Sequence, residues 1–109
     1  MIVRLMEPTA ASSANNWLLQ AEGLRDPVGW TRFLPSHSTD SDRFRFDRTV
    51  RELDPSVKVL LRKNLLDEGV SIFEYDWSVA EDVVLEHAMQ VAESLGTDLV
   101  LGRATRQAA

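Results

Sequence analysis

Nine residues, five glycines and four prolines, cut this chain into short pieces. Pro8, Gly23, Pro27, Pro35, Pro55, Gly69 and Gly96 all fall between apolar runs. Proline fixes φ and lacks a donor, while glycine reaches φ values other residues avoid, so both end regular elements. A chain of 109 residues punctuated this way builds one small domain of short elements around one modest core. That domain is expected over residues 1–102, with 103–109 as a frayed tail.

Hydrophobic spacing assigns the pieces. IVRLM reads as a strand, with Ile2, Arg4 and Met6 on one face and Val3 and Leu5 on the other. After Pro8, Thr9, Ser12 or Ser13 caps a helix expected to reach Glu22, with Ala14, Trp17, Leu18 and Ala21 as its apolar side. Asp26-Pro27 marks a turn, and VGWTRFL reads as a short strand stopped by Pro35. RFRFDRT reads as another strand, Phe44 and Phe46 alternating against Arg43, Arg45 and Asp47. The polar run between them is then a long hairpin tip.

Asp54-Pro55 has the form of a helix start, and SVKVLLRKNLLDEG would bury Val57, Leu60, Leu61 and Leu65. VSIFEYDW alternates as a strand. Ser78-Val79-Ala80-Glu81 matches a capping box, opening a helix from Val79 to Leu95 that Gly96 ends. DLVLG closes the chain as an apolar strand of the buried, parallel kind. The resulting order, β-α-β-β-α-β-α-β, describes an α+β two-layer sandwich. Its first six elements follow the split β-α-β order of a ferredoxin-like core, with an extra C-terminal αβ unit. If VGWTRFL is loop, the alternative is a simple alternating α/β domain with a mostly parallel sheet.

Several function classes are disfavoured. There is no cysteine, so disulfides and thiolate metal sites are excluded. No apolar run approaches the roughly 20 residues of a membrane helix, and MIVRLMEPTA lacks the pattern of a signal peptide. A cytoplasmic protein fits these features. Arginine outnumbers lysine ten to two beside many Ala, Leu and Val, which suggests a GC-rich bacterial or phage genome.

Candidate chemistry is sparse. His37, Asp40 and Asp42 share the polar run, but H-x-x-D-x-D is no recognised ligand spacing, and a solvated tip explains it. Glu74 and Asp76 project from one strand, roughly 7 Å apart by the strand rise. They offer a divalent cation site or an acid and base pair, and equally a strand end emerging into water. His87 falls at the edge of its helix's apolar arc, as a boundary histidine does. The glycines stand singly, so there is no phosphate loop. No catalytic residue, metal ligand or cofactor is assigned, and enzymatic activity is not expected.

Charge is the stronger clue. Between Asn64 and Gly102 there is no Lys or Arg and there are nine acidic residues, within a net charge of −5. Seven of the twelve basic residues lie from Arg43 to Lys63, interleaved with acids, which argues against nucleic-acid binding. On the last helix Asp82, Glu86 and Glu93 fall within roughly 40° of one another by the 3.6-residue period. Like charges in line cost helix stability but focus a field that speeds encounter with a basic partner. A purely solvated face is the plainer explanation. The expectation is a small acidic protein-binding module of the immunity protein, antitoxin, phage inhibitor or accessory regulator type. Asp82, Glu86 and Glu93 would dock a basic protein surface, with Glu74, Asp76 and Trp77 as a rim. Two rivals stand beside it. One is a small enzyme or metal- or ligand-binding domain using Glu74 and Asp76 with His37 or His87. The other is a homodimer or larger homo-oligomer joined through Trp30, Phe33, Phe44 and Phe46.

Overall fold

A computed structural model describes residues 1–8, 16–23, 42–65 and 70–102. Within them lie five strands and two helices: β1 (Ile2–Met6), β2 (Leu18–Glu22), α1 (Asp42–Glu52), β3 (Val59–Leu65), β4 (Val70–Tyr75), α2 (Glu81–Ser94) and β5 (Leu99–Gly102). The strands form one mixed sheet in the order β3-β4-β2-β1-β5, antiparallel except where β5 runs parallel to β1. The class is α+β. The observed order differs from the ferredoxin-like succession expected above. No helix among the described residues is long and apolar enough to cross a membrane.

Period-two alternation decides which sheet face is dry. Val3 and Leu5 of β1, Leu19 and Ala21 of β2, and Phe73 and Tyr75 of β4 are fully buried. Registers Val3↔Ala21, Leu5↔Leu19 and Leu19↔Phe73 bring them onto one face. Both helices cover that face. Phe46 and Val50 enter from α1, and Val84, Ala88, Val91 and Ala92 from α2. The Phe46 and Phe73 rings meet edge to face, centroids 5.6 Å apart. The opposite face is polar in part: Arg4 pairs with Glu22 at 3.3 Å, and Gln20 Nε2 donates to the same carboxylate at 2.6 Å.

Three expected elements differ. Residues 18–22, read as the end of a helix, are β2; positions 9–15 lie outside the described residues. Leu19 and Ala21 alternate inward, and pairing with β1 on one side and β4 on the other outweighs a helical preference of a few tenths of a kcal/mol per residue. RFRFDRT is the body of α1, not a strand. Phe44 and Phe46 do not share a face: Phe46 is buried with Val50 four residues on, whereas Phe44 is half-buried. Within the run after Pro55, Val59–Leu65 is β3, not a helix, and positions 66–69 lie outside the described residues. Asp54 forms an Asx turn, its carboxylate accepting from the Ser56 amide at 3.1 Å and hydroxyl at 2.6 Å, so the cap signal served a turn. Leu60, assigned to the helix's buried stripe, is 75% exposed. An extra residue, Arg62, bulges β3 between the Leu61↔Phe73 and Lys63↔Ile72 pairs. VGWTRFL and the run from Pro35 to Asp40 lie outside the described residues.

Candidate docking groove on helix α2

The site begins at a turn. Asp76 follows β4, and its carboxylate accepts hydrogen bonds from the Ser78 hydroxyl and amide. Those bonds, the hydroxyl's first, hold the carboxyl below the usual aspartate range; Lys58 adds to this and slight desolvation opposes it. Ser78 is thereby engaged backwards, so the expected capping box is absent. Ala80 is the N-cap without a side-chain bond, and α2 starts at Glu81 rather than Val79. The far end fits the sequence. Gly96 adopts φ +71°, its amide donates to the Glu93 carbonyl at 3.0 Å, and the Thr97 amide donates to Ala92 at 3.0 Å. That is a Schellman closure, which glycine permits without strain.

Helical period then sorts the α2 side chains. Val84, His87, Ala88, Val91 and Ala92 turn into the core. Asp82, Glu86 and Glu93 are exposed as a stripe beside half-buried Leu85 and 60% exposed Met89. The chain returns after Gly96 as β5, which lays Leu99 and Leu101 alongside this flank. Between α2 and β5 runs an open groove of about 960 Å³, lined by these two leucines, Leu85, Met89 and the carboxylates of Asp82, Glu86, Glu93 and Asp98. The acidic stripe therefore borders an apolar floor. Sequence reading missed that floor because β5 was expected to be buried. Among the described residues it is an edge strand instead, with Leu101 63% and Val100 39% exposed.

The remaining expected site residues do not gather here. Trp77 stands in the turn before α2, 82% exposed. Asp76 lines a second hollow with Arg51, Lys58 and Leu60 on the β3 side. Glu74 lies on the sheet face away from the helices, where Asn16 Nδ2 donates to it at 2.6 Å and Arg62 at 3.1 Å. His87 is a core residue, not a boundary one: it is 2% exposed, and its Nδ1 lies 2.7 Å from the Tyr75 hydroxyl. Glu74 and His87 thus occupy opposite faces of the sheet and cannot share one catalytic pocket. Among the described residues no group of three or more His, Cys, Asp or Glu is placed to hold a metal ion. Phe46, expected at an aromatic subunit interface, is fully buried in the core. His37, Trp30 and Phe33 lie outside the described residues.

Fold and groove together define a class: an α+β domain with helices on one sheet face and an acid-bordered apolar groove at one sheet edge. Against known proteins, the chain matches no family model, no curated protein and no solved structure.

Proposed function

We propose that this chain is a small cytoplasmic protein-binding module, without catalysis of its own, that docks a basic surface of another protein along the acidic flank of α2. One observation carries the reading. Asp82, Glu86 and Glu93 border the same groove whose floor exposes Leu85, Met89 and Leu101. A stripe serving only solubility has no need of exposed apolar surface beside it. A binding face does, since apolar burial supplies affinity while charge complementarity supplies approach rate and selectivity. The span 65–101 adds no positive charge that would weaken the field.

The test compares wild type with an Asp82→Lys, Glu86→Lys, Glu93→Lys variant, each immobilised and offered lysate. Washes run from low to high salt. The expected result is basic protein held by the wild type, released as salt rises, and missed by the variant. Equal retention by both, or retention indifferent to salt, overturns the reading.

A further inference from the structure

We infer that the basic partner enters as an extended segment that adds a strand to the open edge of β5, with its alternate side chains seated in the groove against α2. This rests on the docking reading above and specifies its geometry. Among the described residues β5 ends the sheet, and its strand neighbour there is β1 alone. The Glu7 amide donates to the Gly102 carbonyl at 3.3 Å, so Gly102, and Val100 two residues back, turn their backbone groups toward β1. The amides and carbonyls of Leu99 and Leu101 consequently face outward, toward any added strand.

Edge strands are usually protected by bulges, lysines, prolines or short length. β3, at the other edge, has such protection: the bulge at Arg62, with Lys58 preceding the strand. β5 reads Leu-Val-Leu-Gly, short but with no charge, proline or register shift. Charge selects the occupant. A strand beside β5 sits about 4.8 Å outside it and sends every second side chain over the groove. Lysine or arginine there can lay its methylene stem on Met89 and Leu101 while its cationic head reaches Asp82, Glu86 or Glu93. The intervening positions lie beside Val100 and favour small β-branched residues. Strand addition of this kind draws affinity from main-chain hydrogen bonds and selectivity from alternate side chains.

The probe is a labelled heptapeptide alternating Lys and Val, followed by fluorescence anisotropy. Two N-methylated versions go with it, one methylated at the Lys amides and one at the Val amides. Only one set of amides can face β5. We expect the unmodified peptide to bind, one methylated version to lose at least about tenfold, or 1.4 kcal/mol, in affinity, and the other to bind nearly as well. Leu101→Pro, which removes an outward amide and no β1 bond, is expected to weaken binding similarly, whereas Leu101→Ala is expected to lose less; thermal melts check that both variants fold. If both methylated peptides bind like the parent, the strand geometry is overturned while acidic docking stands. If the charge-reversed triple variant binds the peptide as well as wild type, or wild type does not bind it, the docking reading fails as well. Self-association in light scattering that Leu101→Pro abolishes would assign the edge to a second copy and overturn the proposal.

Discussion

His87 and Tyr75 meet inside the core, imidazole Nδ1 to hydroxyl at 2.7 Å with ring planes nearly perpendicular, and the pair links folding to pH. Burial pushes the imidazole below its ordinary value of 6.5, opposed by the Val50 backbone and Asp54. Burial also pushes the Tyr75 hydroxyl well above its ordinary range, so it stays protonated and able to donate. Below pH 6.5 the unfolded chain therefore binds a proton that the folded chain resists. Stability should be full above that pH and decline as pH falls through it toward the lower folded value. Urea midpoints across pH 5 to 8 would show a slope that the paired Tyr75→Phe, His87→Leu variant lacks. Tyr75→Phe alone leaves a buried ring nitrogen without its partner and should cost about 1–3 kcal/mol in urea unfolding at neutral pH.

Helix α1 is held to the sheet chiefly by Phe46 and Val50, and its outer side carries exposed arginines. Phe46→Ala would empty the space against Phe73 and should cost about 3–5 kcal/mol, read as a lowered denaturant midpoint. At the end of α2 the strain is backbone strain. A Cβ at Gly96 would meet nothing within 4 Å, yet φ is +71°. Gly96→Ala should therefore cost about 1–2 kcal/mol with no change in packing, while Gly96→Asn, which tolerates this region better, should cost less. Calorimetric melts of the two variants separate conformational strain from crowding. Gly102 is the opposite case: a Cβ there would press into Met6 Sδ and the Arg4 stem on the sheet's polar face, so the close approach of β5 to β1 depends on its bareness.

Across the whole molecule the two charge blocks land on different elements. Exposed Arg45, Arg48, Arg51, Lys58 and Arg62 belong to α1, the turn after it and β3, while Asp82, Glu86, Glu93 and Asp98 belong to α2 and the approach to β5. β3 and β5 are opposite edges of the sheet, so the acidic edge is set well away from the basic one. Association of polylysine should thus be fast at low salt and slow steeply toward 0.1 M, where the screening length falls to about 10 Å. Stopped-flow rates on wild type and on Asp82→Lys, Glu86→Lys, Glu93→Lys would measure this; a rate unaffected by either salt or the substitutions contradicts steering by α2.

The sequence by itself determined the elements whose signals are local. β1, β4 and α2 follow from alternation or helical period in residues that need no distant partner to be sorted, and Gly96 ends α2 because its own backbone does so. The α2 stripe was equally legible, since helical period alone puts Asp82, Glu86 and Glu93 together. Tertiary structure decided the remainder. Short apolar runs such as 18–22 and 59–65 satisfy either period, and β4, lying between them, makes both into strands by supplying hydrogen bonds on its two sides. Phe44 and Phe46 alternate as letters, yet only one could enter a core already floored by Phe73. The groove depended on the strand order: DLVLG looks buried until β5 proves to be the last strand among the described residues, with β1 its one strand neighbour there and much of Leu101 open beside an acidic helix.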